Sequence, residues 1–154
     1  MNKPKVEMSK ASIGYLIGKT ALYYRITGLQ FFKEKKFSIT HEQFAILYIL
    51  NVENGIYQRQ LGKIALKDRP NITRLVDILE EKGFVYREID PNDRRIIKVF
   101  ITESGKKQVE TIYPSILELN NKALEGITSE EKVILKKLLE KIRNNLDETF
   151  KLQF

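Results

Sequence analysis

Few residues of this 154-residue sequence could carry out chemistry, and those that could lie in two short segments. The first segment, residues 90–95, holds Asp90 and Asp93, followed directly by Arg94 and Arg95. Paired carboxylates can act as an acid and a base or hold a metal ion, but these two occupy a polar turn with no histidine nearby. Arginine binds phosphate groups and base edges, so the segment favours an anionic partner over catalysis.

The second segment, residues 68–79, places arginine among small polar residues at helical spacing. At about 100° per residue, a helix here has one apolar face and one polar face. The apolar face comprises Ile72, Leu75, Val76 and Leu79, and the polar face comprises Pro70, Thr73, Arg74 and Asp77. Arg74 can bind guanine through two hydrogen bonds, with Asn71 and Thr73 as smaller base or phosphate contacts. The alternatives for Arg74 are an ion pair with Asp77 or plain exposure to solvent.

The composition excludes several classes of protein. No cysteine is present, which rules out disulfides, thiolate metal sites and thiol nucleophiles. The apolar share of 42% and charged share of 31% are typical of a soluble globular protein. The sequence has neither an apolar run of about 20 residues nor an apolar leader, so we expect a cytoplasmic protein with no membrane partner. We also expect no cofactor.

The net charge of +7 is spread unevenly along the sequence. Residues 1–39 carry +6, whereas residues 53–102, which include both arginine-bearing segments, carry only +2. Basic charge supports binding to nucleic acid because neutralised phosphates release their counterions. A solvated basic surface explains the total equally well, so the positions of individual arginines matter more than their sum.

Periodicity and capping signals predict a mainly helical protein with one β-hairpin. Helices are expected over Ser9–Glu34, from Thr40 to about Gly55, over Tyr57–Leu66, over Arg69–Lys82, from Thr102 to about Glu125 with a bend at Pro114, and from Thr128 onward. Strands are expected over Phe84–Arg87 and Ile96–Thr102. Asp68 can cap the fourth helix, Pro70 fits its first turn, and Gly83 can end it.

This order of elements is that of a winged helix-turn-helix flanked by helices at both ends. We expect one domain over residues 1–154, with a DNA-binding lobe at 40–102 and dimerisation helices at 1–39 and 103–154. The first helix has two apolar stripes, and the last has one continuous stripe formed by Leu135, Leu138, Leu139, Ile142, Leu146 and Phe150. Such faces need partners, which a second copy of the chain would supply. The alternative is a monomeric helical bundle.

Four stretches together resemble the multiple-antibiotic-resistance regulator (MarR) family. They are residues 38–47, 72–87, 90–95 and 101–105, which follow one another in a single register. The Asp-x-Arg pattern of Asp93 and Arg95, at the expected distance from Thr102, makes the resemblance specific. Two features depart from the family pattern: Gly62 lies inside the third helix, and Pro70 lies at the start of the fourth.

The resemblance implies a homodimer that binds a pseudo-palindromic site on double-stranded DNA with two recognition helices. It implies DNA contacts from Arg69, Asn71, Thr73 and Arg74 in the fourth helix. It also implies that Arg95 enters the minor groove, that Asp93 orients Arg95, and that Arg94 meets phosphate or solvent. A narrow A·T-rich minor groove concentrates negative potential, which suits an arginine.

Family members often bind small aromatic compounds, and the resemblance implies that such an effector relieves repression here. Candidate lining residues are Tyr15, Tyr23, Tyr24, Phe44 and Tyr48, although aromatic residues at helical spacing are also typical of an ordinary core. His41, the single histidine, is interpreted as a surface group. The resulting hypothesis is a homodimeric transcription regulator that acts as a repressor. The alternative is a winged-helix module that docks on protein without reading DNA, and an enzyme is a distant third.

Overall fold

The structure is a computed structural model that describes residues 12–150, with side chains to residue 148. It is mainly helical with a small antiparallel sheet, as predicted. The elements are α1 (Ile13–Glu34), α2 (His41–Val52), β1 (Ile56–Tyr57), α3 (Gln58–Ile64), α4 (Arg69–Glu81), β2 (Val85–Ile89), β3 (Ile97–Ile101), α5 (Glu103–Ala123) and α6 (Ser129–Phe150). The chain divides into two compact units, one ending at Phe44 and the other beginning at Ala45.

The first unit contains α1 and the start of α2. Ser12 caps α1 by accepting a hydrogen bond from the backbone N–H of Tyr15 at 3.1 Å, whereas the predicted start at Ser9 lies outside the described residues. Most side chains of α1 are exposed, and only its last turns carry buried residues, Gly28 and Phe32. Phe32 contacts His41 edge-to-face at 5.4 Å between ring centroids. His41 is therefore half-buried against this ring, which differs from the predicted surface position.

The predicted capping box at the start of α2 is confirmed. The hydroxyl of Thr40 accepts a hydrogen bond from the backbone N–H of Gln43 at 3.2 Å. The side-chain oxygen of Gln43 accepts one in return from the backbone N–H of Thr40 at 3.1 Å. Two backbone donors that have no partner within the helix are thus satisfied by side chains of the same turn.

In the second unit, α3 and α4 form the helix-turn-helix. The turn between them contains Leu66, whose side chain is exposed. Its backbone adopts a left-handed conformation with φ of 52°. This geometry lets the backbone N–H groups of Leu66 and Lys67 bond to the carbonyls of Lys63 and Gly62. Gly62 is buried, and a Cβ there would lie 3.1 Å from the carbonyl oxygen of Lys67. The glycine therefore permits the close approach of the turn to α3.

Three strands form the sheet in the order β1-β3-β2, all antiparallel. The prediction that Tyr57 begins the third helix is wrong, because Ile56 and Tyr57 pair with Val99 and Lys98 of β3. The ammonium of Lys98 also lies 5.1 Å from the centre of the Tyr57 ring. A strand of two residues is too short to show an alternating pattern, so it is visible only through its pairing.

The core of the second unit lies between these helices and one face of the sheet. Each of its fully buried side chains lies on the inward face of its helix or strand. These residues are Ile46, Leu47, Leu50, Leu61, Leu75, Val76, Leu79, Val85, Val99 and Ile112. The residues predicted for the inner face of α4 are all among the buried ones. This packing holds α4 in place while its other face stays in solvent.

The start of α5 is joined tightly to the hairpin. Thr102 caps α5 through a hydrogen bond from the backbone N–H of Gly105 at 3.1 Å, and its own hydroxyl donates to the carbonyl of Gly83 at 2.7 Å. The backbone N–H of Thr102 donates to the carbonyl of Phe84 at 3.0 Å. A Cβ on the buried Gly105 would overlap that same carbonyl oxygen and the side chain of Ile101. Only glycine fits at this junction.

Helix α6 is exposed along nearly its whole described length. Among side chains 129–148, Ile142 alone is half-buried and the others are exposed. The predicted stripe therefore lies at the surface of a single chain, with Leu138 at 52% exposure, while the side chain of Phe150 is outside the described residues. Within residues 12–150, no helix is long and apolar enough to cross a bilayer.

Gly105→Ala tests the junction between the hairpin and α5. We expect it to lower the free energy of unfolding by about 3 kcal/mol, because the added methyl group meets backbone that cannot move freely. Chemical denaturation followed by circular dichroism measures the change. The matched control is Ser104→Ala at the neighbouring exposed position, which should change stability by less than about 0.5 kcal/mol. Equal effects of the two substitutions would contradict the close packing.

Candidate nucleic-acid interface

The two faces of α4 differ as the sequence predicted. Its inner face is buried, whereas Arg69, Pro70, Asn71, Arg74 and Asp77 are exposed and Thr73 is half-buried. Small residues and two arginines thus form a polar outer surface on a helix whose opposite face is packed in the core. A helix that enters the major groove needs this combination, because base contacts require a backbone held in a fixed place.

The start of α4 is capped by Asp68. Its carboxylate accepts a hydrogen bond from the backbone N–H of Asn71 at 2.9 Å. Pro70 lies in the first turn, where it removes a backbone donor that would have no partner within the helix. The departure from the family pattern at Pro70 is therefore compatible with a regular helix start, and the side chains of Arg69 and Asn71 remain exposed.

Arg87 on β2 binds two carboxylates of α4. Its Nη2 lies 2.6 Å from Oδ1 of Asp77, and its Nη1 lies 2.6 Å from Oε2 of Glu80. The other oxygen of Glu80 accepts the backbone N–H of Arg87 at 3.0 Å. The predicted alternative in which Asp77 pairs with Arg74 is therefore wrong: Asp77 pairs with Arg87. This ion pair offsets the negative charge that Asp77 would otherwise present to phosphates.

Arg87 also reaches α3. Its Nε donates to Oε1 of Gln58 at 2.9 Å, and Nε2 of Gln58 donates to Oγ1 of Thr73 at 3.1 Å. The hydroxyl of Thr73 in turn donates to the carbonyl oxygen of Arg69 at 2.8 Å. One continuous set of hydrogen bonds thus links β2, α3 and the outer face of α4, and it ends on a predicted DNA-contacting residue.

The hairpin tip places Asp93 and Arg95 together. Oδ1 of Asp93 accepts from the backbone N–H of Arg95 at 3.0 Å and from its Nε at 3.1 Å, and Oδ2 accepts from Nη2 at 3.0 Å. The side chain of Arg95 is nevertheless 90% exposed. Arg94 is exposed as well. The carboxylate therefore orients Arg95 while leaving its outer edge accessible.

The same contacts shift two pKa values in opposite directions. Hydrogen bonds from the side chain and the backbone of Arg95 lower the pKa of the Asp93 carboxyl. The carboxylate in turn raises the pKa of the Arg95 guanidinium. Both groups are thus charged at neutral pH. Asp90 instead bonds to the backbone of its own turn, accepting from the N–H of Asn92 at 2.9 Å, so the structure gives Asp90 and Asp93 separate structural roles.

The residues predicted to line an effector site are in different environments. Phe44 is buried, with its ring 5.9 Å from that of Phe32. Tyr15 and Tyr23 are exposed on α1, and the ammonium of Lys19 lies 5.8 and 5.9 Å from their ring centroids. Tyr24 is also exposed. Phe44 thus packs as a core residue, while the three tyrosines of α1 lie at the surface.

Tyr48, the remaining candidate, is paired with a residue that the sequence analysis did not single out. Its ring stacks on that of Tyr113 from α5 at 5.4 Å and an interplanar angle of 13°. A hydrogen bond between the two phenols raises the pKa of Tyr48. Because 37% of Tyr48 is exposed, this pair forms a partly accessible aromatic surface between α2 and α5.

Sequence reasoning also missed Gln58 and Arg87. A signal for Arg87 was present, because alternation along β2 places it on the same side as the buried Val85. An arginine on the inward side of a strand needs acidic partners, and α4 carries two. No comparable pattern marked Gln58, which acquires its role only through contacts with residues 15 and 29 positions away.

Comparison with known proteins agrees with this arrangement. A family model described as the MarR family matches residues 39–97. The uncharacterised HTH-type transcriptional regulator YwaE of Bacillus subtilis (strain 168) is 32% identical over 113 residues, which are 73% of this chain and 66% of the relative, just under two thirds of its length.

Solved structures with the same fold extend the match. The chain is similar to the transcriptional regulator SlyA, with 30% identity and a TM-score of 0.78 over 92% of this chain and 98% of that one. It is also similar to the S. aureus MepR–DNA complex, with 26% identity and a TM-score of 0.75 over 89% and 98% of the two chains. The predicted winged helix-turn-helix fold is thereby confirmed.

The Asp93–Arg95 contact can be tested by titration. We expect the Asp93 carboxyl to titrate below the ordinary aspartate pKa, because Arg95 stabilises its charged form. The contribution of this contact to folding is then present above the ordinary pKa and is lost as the pH falls through the lowered one. Carbon-detected NMR of the carboxyl measures the midpoint.

Substitution of each neighbouring arginine separates contact from general charge. Arg95→Ala should raise the Asp93 midpoint towards its ordinary value, whereas Arg94→Ala removes the same charge one residue away and should leave it nearly unchanged. Equal shifts in the two variants would mean that the nearby positive charge alone, and not the observed hydrogen bonds, lowers the pKa.

Proposed function

The chain belongs to the MarR family of transcriptional regulators, which are not enzymes, and we propose that it is a homodimeric, sequence-specific DNA-binding repressor released by a small molecule. The observation that carries the proposal is the anchored outer face of α4 combined with the exposed, oriented Arg95 of the hairpin. It acts in the cytoplasm, where its DNA target is found. The predicted lobe at 40–102 and dimerisation helices at 1–39 and 103–154 belong to the same proposal.

In this proposal α4 enters the major groove. Arg74 is exposed on the outer face of this helix and can bind O6 and N7 of guanine. Arg69 and Asn71, exposed at the helix start, contact phosphates or neighbouring bases. Pairing with Arg87 lets Asp77 stand beside this surface without the full repulsion that an unpaired carboxylate would cause. The similar MepR structure is a DNA complex, which supports this use of the fold.

The hairpin acts as the wing and places Arg95 in the minor groove. Asp93 holds the backbone and the guanidinium of Arg95 together, so less rotational freedom is lost when DNA binds. The adjacent Arg94 contacts phosphate. Because residues 53–102 carry a net charge of only +2, affinity depends on these few placed groups and not on a broad basic surface.

The exposed stripe of α6 is the proposed dimer surface. Leu135, Leu138, Leu139 and Leu146 are each at least 40% exposed in one chain. A contiguous apolar surface of this kind marks an association site in a folded protein. A second copy that covers it also supplies the second reading helix, at a spacing of roughly one turn of DNA, about 34–36 Å.

The proposed effector is a small aromatic compound. Tyr48 and Tyr113 present a stacked, partly exposed phenol pair, against which an aromatic ring can stack and a polar group can hydrogen-bond. Tyr15, Tyr23 and Tyr24 are exposed on α1 and remain separate candidate contacts for an effector. The side chain of Phe44 is buried, so Phe44 is not among the proposed direct contacts.

DNA binding is tested by fluorescence anisotropy with the promoter region of the gene itself, at several salt concentrations. Arg95→Ala should weaken binding at least about tenfold, because the minor-groove contact is lost. Lys107→Ala removes one exposed charge on α5 and serves as the control, with little change expected. Absence of any sequence preference in the unmodified protein, at every salt concentration, would reject the proposed function. A stable protein partner with no DNA affinity would favour a protein-docking module instead.

The dimer is tested by sedimentation velocity of Leu138→Asp. A charge placed in an apolar interface costs on the order of 3 kcal/mol, so the dimer dissociation constant should rise about a hundredfold. Asn144→Asp adds the same charge on the opposite, polar side of α6 and should leave the dimer intact. An unchanged dimer in Leu138→Asp, with normal circular dichroism, would exclude the α6 stripe as the interface.

A further inference from the structure

The contact of Arg87 with Gln58 determines the orientation of an amide group. A guanidinium has only donors, so the atom of Gln58 that faces Nε of Arg87 must be the amide oxygen. The amide nitrogen then faces Thr73, to which it donates at 3.1 Å. Since that nitrogen carries two hydrogens, one donor remains after the bond to Thr73 is made.

The hydroxyl of Thr73 is constrained in a corresponding way. The carbonyl of Arg69 can only accept, so the hydroxyl proton lies towards it, at 2.8 Å between oxygens. The amide of Gln58 can only donate at this position, so it occupies one lone pair of Oγ1. A hydroxyl oxygen has two lone pairs, which leaves one acceptor position on a residue at the outer face of α4.

Gln58 and Thr73 together therefore present one donor and one acceptor side by side, on atoms 3.1 Å apart. In the major groove, adenine alone among the bases presents an acceptor, N7, directly beside a donor, the N6 amine. Guanine presents two acceptors there, and a reader with a single donor next to an acceptor matches it poorly. The pattern on the protein is complementary to adenine.

We propose that Gln58 and Thr73 form a composite adenine reader, in which Gln58 donates to N7 and Thr73 accepts from N6, and that Arg87 is its positioning residue. The inference rests on the proposed function, because it requires α4 in the major groove. Arg87 is suited to this role: only 17% of its side chain is exposed, and Asp77 and Glu80 hold its other two nitrogens. The guanidinium can therefore hold the amide in a single orientation.

The experiment measures relative affinity for every single-base variant of the selected operator, by sequencing bound and free DNA from a randomised pool. The unmodified protein should prefer A·T at one base pair in each half-site by about fivefold or more. Thr73→Val should abolish the preference at that base pair alone, and Thr73→Ser, which keeps the hydroxyl, should retain it.

Two further variants, with one control, test Gln58 and Arg87. Gln58→Glu keeps the oxygen that faces Arg87 but removes the donor, so the adenine preference at the same base pair should be lost. Gln60→Glu adds the same charge at an exposed position two residues along α3; it should weaken all sequences alike and keep the preference. Arg87→Lys keeps the charge but loses the forked donor geometry, so the amide can turn over and the preference should fall with unchanged salt dependence.

Uniform weakening across all base pairs in Arg87→Lys and Gln58→Glu would overturn the inference, because it would show a structural role only. A preference for G·C at the base pair that Thr73→Val affects would overturn it too. Both results leave the proposed function intact, whereas no sequence preference in the unmodified protein rejects the proposed function and the reader together. Thermal unfolding confirms that every variant is folded at the measuring temperature.

Discussion

The arrangement of the outer face of α4 depends on the ion pairs that Arg87 forms with Asp77 and Glu80. A cation on β2 binds two carboxylates on α4 and an amide on α3, so three elements meet at one side chain. Apolar packing alone holds the inner face of α4, but it is not directional. The guanidinium adds directed bonds, and these determine how polar side chains on the outer face are oriented.

Local signals in the sequence were sufficient for much of the fold. The capping box of Thr40 and Gln43, the cap at Asp68 and the two faces of α4 follow from interactions within one or two turns of helix, which spacing reveals directly. Ion pairs and strand pairing between residues far apart in the sequence cannot be predicted from such spacing. Helical spacing suggests the neighbouring Arg74 as the partner of Asp77, whereas the observed partner, Arg87, lies ten positions away on β2. The two-residue strand β1 was missed for the same reason.

The same difference between local contacts and contacts of distant residues applies to the candidate site. The exposure of Arg74 and the proximity of Asp93 to Arg95 could be predicted, because a helical face and a two-residue separation are local properties. The orientation of the Gln58 amide could not, since it depends on which atom of Arg87 arrives from β2. Periodic patterns also do not separate core aromatic residues from those of an effector site, since Phe44 packs in a core. Nor do they show that Tyr48 stacks on Tyr113 of α5.

The junction at Gly105 has a mechanical consequence. Thr102 bonds to both Gly83 and Phe84, and Gly105 fits against the carbonyl of Phe84 without space for a methyl group. The base of the hairpin and the first turn of α5 therefore move as one rigid piece. A rotation of the first turn of α5 would therefore carry the base of the hairpin with it, and with the hairpin Arg95.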